Sequence, residues 1–276
     1  MKKLLLLFSG CLVCGALLVW AVGSYLSKSA NHRITMPDIG FESVAYGRTH
    51  GSFLDAGSRQ QCALLLHGVN ADRTSMIDRA KFLKTLGISS LAIDLQAHGE
   101  TEGEQISFGY FESEDAYHGL RYLKTVAGCH QVIAIGVSLG GAATLLGKTA
   151  TEADALVLES VFPTIEEAVA DRIEARLGPV GSMLAPLLYE QIPLRIGVPI
   201  EKLRPIESLK SVQIPVLVIG GSKDLSTKVS ETRRMYQTIH SPKQLWIVEG
   251  AIHQDIYRYD PPGYESRLRK FIQTML

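Results

Sequence analysis

A bias of charge toward one sign is missing from this 276-residue chain: Lys plus Arg and Asp plus Glu both total 28, for a formal net charge of zero. No global field therefore draws it to nucleic acid or to an acidic polymer, and nucleic-acid binding is set aside. Cysteine is scarce, with four in all; the one CxxC spacing, Cys11 to Cys14, lies inside the apolar N-terminal stretch and no Cys/His cluster accompanies it, which leaves no zinc site to expect. Internal repeats and low-complexity tracts are also absent, which excludes solenoids and linker-rich architectures. Hydrophobic residues make up 46% of the chain, enough for a sizeable core in one large domain with an appendage.

The N-terminus stands apart from the rest. Between Leu4 and Leu26 the run 4–26 carries no charge, and as a helix it would cover about 34 Å at 1.5 Å per residue, enough to cross a bilayer core. We read residues 1–30 as an uncleaved transmembrane anchor; a cleavable signal ending at Ala21-Val22-Gly23 is the alternative. The expectation is a membrane-anchored, single-pass protein whose remaining domain, 31–276, is exported to the periplasmic or extracellular side. Cys62 and Cys129 each precede a strand-like run. Two buried free thiols are the ordinary expectation for them, and a disulfide is open if the two strands are neighbours in an oxidising compartment.

Beyond residue 60 the chain alternates. Short apolar runs at 63–67, 90–94, 132–136, 155–159, 216–220 and 244–249 each end in a polar residue or glycine, as buried parallel strands do. Amphipathic stretches at 76–86 and 113–126 fall between them, so helices should cover both faces of a mostly parallel sheet. An earlier pair, 41–46 and 52–54, reads as a leading hairpin. The interval 161–212 breaks the rhythm, since a plain crossover needs far fewer residues. We read it as a helical lid over the carboxyl edge of the sheet, with Leu184, Leu187, Leu188, Ile192, Ile196 and Val198 on an apolar inner face; a packing appendage is the alternative. Glu166, Glu167, Asp171 and Glu174 form either an acidic rim that attracts amines or a solvated helix face.

The chemistry-bearing residues cluster at the ends of those runs. Gly136-Val137-Ser138-Leu139-Gly140 puts a serine at a sharp strand-to-helix turn, where flanking glycines avoid the collisions a Cβ would cause. On its own the pentapeptide also fits an ordinary βα connection. Asp224 follows the run 216–220 and His253 follows 244–249, so a nucleophile, an acid and a base occur in the order Ser, Asp, His, each after its own strand. His67-Gly68-Val69-Asn70 ends another strand, and the amides of Val69 and Leu139 are the expected oxyanion donors. His67 and His98 read as loop-shaping residues. Glu159 is the best substitute for Asp224 as the acid, while Asp255 and Asp260 lie too close to His253 in sequence to be favoured.

His67-Gly68, the segment from Asp94 to Thr101, Gly136 to Gly141, Asp224 and His253 together resemble the α/β-hydrolase superfamily over nearly all of 62–276. Within it the pattern is similar to the monoacylglycerol lipase-like, serine aminopeptidase and Bem46-like groups. The family's Arg-Gly-His-Gly is replaced here by Gln96-Ala97-His98-Gly99, which puts a structural arginine contact in doubt. The resemblance implies an α/β-hydrolase sheet with a lid insertion. It also implies cleavage of a carboxylic ester, thioester or amide through an acyl-enzyme on Ser138, with Asp224 and His253 completing the triad and no metal or cofactor required. The partner is a small acyl substrate, for which the lid suggests an apolar acyl group; no obligate protein partner is implied. An acyltransferase or aminopeptidase-type amidase on the same triad, and a non-catalytic membrane-tethered binding protein, are the alternatives.

Overall fold

In the computed structural model, residues 13–276 are described in full and residues 2–12 by their helical backbone alone. Eight strands form one sheet: β1 (Phe41–Tyr46), β2 (Thr49–Leu54), β3 (Gln61–Leu66), β4 (Ser89–Ile93), β5 (Gln131–Val137), β6 (Ala155–Glu159), β7 (Val216–Gly221) and β8 (Lys243–Val248). Their spatial order is β8-β7-β6-β5-β3-β4-β2-β1. The hairpin β1–β2 and the β2–β4 pair are antiparallel, and every other pairing is parallel. Strand order reverses beside β3, so the loops after β3 and β5 open a crevice at the carboxyl edge.

Alternation along the strands separates two cores. Leu64, Leu66, Leu91 and Ile93 face the helices α3 (Glu112–Thr125) and α4 (Leu139–Leu146), meeting Ala116, Leu120 and Ala143. Ala63, Leu65, Ala92 and Ile135 face the opposite way, onto Leu83 of α2 (Ile77–Thr85) and Phe271 of the C-terminal helix Pro261–Met275. With both faces covered, the central strands carry unbroken apolar runs. Truncating one such buried leucine to alanine costs about 2–5 kcal/mol.

Cys62 and Cys129 are joined in a disulfide, with their Cα atoms 6.0 Å apart. This corrects the expectation of two free thiols. Strands β3 and β5 are neighbours in register, Cys62 opposite Val132, so the start of one strand and the approach to the other meet at the edge remote from the crevice. Closing a loop with a sequence separation of 67 restricts the unfolded chain by about 4 kcal/mol in the chain-entropy account.

The N-terminal helix α1 (Lys2–Leu26) also departs from expectation. Among the described residues no helix is long and apolar enough to cross a membrane. The single-pass anchor expected over 4–26, and the membrane-tethered, exported placement drawn from it, are overturned; the part of that run at 4–12 lies outside the residues described with side chains. The described part, 13–26, covers only about 21 Å, and its last turns are held by polar groups of the inserted segment. Gln191 donates to Val19 O (3.2 Å), Arg195 donates to Ser24 Oγ (2.8 Å) and to Trp20 O, and the guanidinium lies 4.0 Å from the Trp20 ring centre. Gly23 permits this approach, because a Cβ there would sit 2.8 Å from both Gln191 and Arg195. Downstream, Ala30–Asn31 pairs in parallel with His98–Gly99, stitching the segment after α1 onto the loop that follows β4.

The insertion runs between β6 and β7. Thr164 caps its main helix, α5 (Ile165–Leu177), by accepting from Glu167 N (3.2 Å), and Gly178 at φ +74° ends it. Short helices α6 (Ala185–Tyr189) and α7 (Ile192–Ile196) follow.

Candidate active site

Strand β5 delivers Ser138 to the crevice in a strained conformation, φ +48° and ψ −106°, with Leu139 already the first residue of α4. A Cβ on Gly136 would lie 2.5 Å from Gly141 N, and one on Gly140 would overlap the Leu66 carbonyl, so the turn admits only glycine at both places. The elbow is held from outside as well: Ser138 N donates to Glu159 O at the end of β6 (2.8 Å). Such strain of about 1–3 kcal/mol persists only where the surroundings over-determine it.

Asp224 and His253 come together. His253 Nδ1 lies 2.8 Å from Asp224 Oδ2, and the carboxylate is fully buried. Its other oxygen accepts from Ser226 N and Thr227 N, both at 2.8 Å, which fixes the carboxylate's rotation. The two loops share bonds of their own, Lys223 N to Ala251 O (2.9 Å) and Gly250 N to Ser222 Oγ (2.8 Å), as the adjacency of β7 and β8 allows. Ser138 and His253 line one cavity of about 210 Å3, together with Gly68 and Val69. Ser138 Oγ is buried and has no hydrogen-bond partner among the described residues, so the serine and histidine share a cavity without being bonded.

Val69, Ser138 and Leu139 face a second cavity of about 200 Å3 beneath the insertion. Among the described residues, neither the Val69 nor the Leu139 amide donates to another protein group. Two imidazoles shape this loop. His67 Nε2 accepts from Leu95 N (3.1 Å) and its Nδ1 meets Gly68 O (2.7 Å), while His98 Nε2 accepts from Asn70 N (3.2 Å). Burial pushes both down to about 4, so they stand neutral under the loop. The arginine contact that Gln96-Ala97 put in doubt comes from elsewhere: Arg73 pairs with Asp94 at the end of β4 and with Glu100 (2.6 Å).

The other carboxylates are engaged away from His253. Glu159 is bound by Arg79 (2.6 Å) and by the Tyr264 hydroxyl. Asp255 also meets Arg79 (2.8 Å), and Asp260 caps the C-terminal helix. On α5, Glu166 pairs with Arg204 (2.5 Å), Glu167 with Arg234 (2.6 Å), and Asp171 and Glu174 both with Lys228 (2.9 Å). They are neither an amine-attracting rim nor a solvated face; they fasten α5 to the body.

The opposite face of α5 lines the second cavity, through Ile165, Ala168, Val169, Arg172, Ile173 and Arg176. This differs from the apolar inner face expected of the insertion. Ile192, Ile196 and Val198 are buried in the core, while Leu184, Leu187 and Leu188 line an apolar trough of about 600 Å3 against α1. Sequence reasoning missed Arg172 and Arg176, although their i, i+4 spacing with Ala168 placed them on the apolar stripe of the helix.

The overall fold finds counterparts among solved structures. The Pyrococcus furiosus esterase Pf2001 superposes with a TM-score of 0.72 at 21% identity, covering 90% of this chain and 99% of that one. The chain has the α/β-hydrolase fold. The Rhodococcus esterase RhEst1 shares this fold at a TM-score of 0.59 and 20% identity, over 86% of this chain and the whole of the esterase. By sequence, the uncharacterized protein YqkD of Bacillus subtilis is 26% identical over 216 residues, 77% of this chain and 71% of that protein. No family model matches the chain.

Proposed function

We propose that this α/β-hydrolase is a serine hydrolase that cleaves carboxylic esters, or the related thioesters and amides, through an acyl-enzyme on Ser138. The observation that carries the proposal is His253, paired with the buried Asp224, on the wall of the cavity that also holds the strained Ser138. Esterases among the fold neighbours support the same direction.

In this mechanism His253 Nε2 takes the Ser138 proton as Oγ attacks the carbonyl carbon, and Asp224 holds the Nδ1–H tautomer and steadies the imidazolium. Amides of Val69 and Leu139 stabilise the oxyanion, each worth about 3–4 kcal/mol of barrier. The tetrahedral intermediate expels the alcohol, which leaves with the proton from His253. Water, deprotonated by His253, then attacks the acyl-enzyme and restores Ser138. In substrate-free enzymes the serine–histidine bond is often loose and tightens only when substrate seats.

A fluorophosphonate probe should label the wild-type protein at Ser138, and short-chain 4-nitrophenyl esters should be hydrolysed. Both signals should vanish in Ser138→Ala. Full hydrolytic activity in that variant overturns the proposal.

A further inference from the structure

The cavity under α5 has a mostly apolar lining that also holds Asn70, Ser138 and two cations, Arg172 and Arg176, and every carboxylate on α5 is paired elsewhere. Glu166, Glu167, Asp171 and Glu174 are each paired with Arg204, Arg234 or Lys228. Arg172 and Arg176 form no ion pair among the described residues. Among the described residues their protein acceptors are main-chain carbonyls one turn back: Arg172 Nη1 to Ala168 O at 2.9 Å and Arg176 Nη1 to Arg172 O at 3.5 Å. Arg172 is largely withdrawn from water, and that desolvation, with Arg176 adding to it, presses its guanidinium below its ordinary value while Asp224, Asp171 and Glu231 pull the other way. A desolvated cation facing a cavity is costly unless an anion completes it. The same cavity is walled by Ser138 and by Val69 and Leu139, so an anion there belongs to the molecule being cleaved.

We infer that the substrate is an ester carrying an ionised oxyanion group, a carboxylate in the simplest case, received by Arg172 and Arg176 within reach of Ser138. A guanidinium fork matches two carboxylate oxygens, which a lone ammonium does not. Arg176 also lines the apolar trough between α5 and α1, so an apolar extension of the substrate can continue past the anion.

This inference rests on the serine-hydrolase reading, and its test separates the two. Two ester pairs locate the anion: 4-nitrophenyl hemiglutarate against 4-nitrophenyl pentanoate places it on the acyl side, and 4-acetoxybenzoate against 4-acetoxybenzamide on the alcohol side. The wild-type protein should prefer the charged member of at least one pair by about tenfold or more in kcat/KM, and added salt should erode that preference. Arg172→Gln should cut the charged-to-neutral ratio by about tenfold, Arg176→Gln by less, and Arg172→Lys should keep part of it. A ratio at or below one in both pairs overturns the inference. So does an Arg172→Gln variant that slows both members of a pair equally, since the arginine would then act only through Asp224. If no ester is cleaved, the hydrolase reading falls. The anion site is then judged by calorimetric titration of monomethyl glutarate, which should bind the wild-type protein and not folded Arg172→Gln; no binding to the wild-type protein overturns it.

Discussion

Asp224 and Glu159 occupy nearly equivalent places. Both follow from the carboxyl ends of adjacent parallel strands, β7 and β6, and both carboxylates are buried near the same crevice. What separates them is which groups occupy their oxygens. Glu159 gives both oxygens to Arg79 and one of them also to Tyr264, so neither is left uncommitted to face an imidazole. Asp224 gives one oxygen to two backbone amides and keeps the other for His253. Glu159 serves the site through its main chain instead, as the acceptor for Ser138 N. Position at a strand end therefore nominates an acid, and its remaining hydrogen-bond capacity selects it.

The sharpest way to break this contrast is Asp224→Asn. It keeps the shape but favours the wrong histidine tautomer, and ester hydrolysis should fall by about 10³–10⁴-fold with folding intact, as read by steady-state kinetics beside circular dichroism. Glu159→Gln should do the reverse. It leaves Arg79 buried without its full partner and should lower unfolding free energy by about 3–5 kcal/mol in urea titrations, while the fraction that remains folded turns over within about tenfold of wild type. A kcat loss as deep as that of Asp224→Asn would reverse the two assignments.

The histidines extend the comparison by a smaller amount. His67 and His98 have their ring nitrogens taken, whereas His253 keeps Nε2 for chemistry. The unfolded chain protonates the first two near 6.5 and the folded protein only near about 4. Their contribution is therefore complete above about pH 6.5 and is lost as the pH falls toward 4, by up to about 3 kcal/mol for each ring. Thermal melts should show the loss beginning above the carboxylate range, and His67→Gln should flatten that slope. The smallest effect should come from replacing the claimed pair outright. Arg79→Met with Glu159→Leu should lie within about 1–2 kcal/mol of wild type, well above Glu159→Gln alone, because both fully buried charges go and the part-exposed Asp255 keeps Tyr257 N and Arg258 as partners. Additive losses would show that the pair itself carries stability.

Much of the sheet was legible in the sequence because fully covered strands leave short unbroken apolar runs, and Ser138, Asp224 and His253 each follow such a run directly. What escaped depended on partners far away in sequence. The disulfide required knowing that β3 and β5 are neighbours, and the run 4–26 carries the same composition whether lipid or Gln191 and Arg195 meet its far end. Arg73 and Arg79 show no local sign of the carboxylates they bind 21 and 80 residues away. The acidic residues of α5 drew attention by their number, while the two arginines that face the cavity were hidden on its apolar stripe.

The latch of Arg79, Glu159 and Tyr264 also orders events during synthesis. Arg79 and Glu159 leave the ribosome well before Tyr264, and Asp255, the second carboxylate on Arg79, is late as well. A nascent chain that stops short of the C-terminal helix has a charged pair under its sheet with no lid of protein over it, and one that stops before residue 253 also lacks the base. Arrival of the base thus comes only shortly before completion of the hydrophobic layer, so a product truncated ahead of His253 is neither well folded nor a source of stray hydrolysis.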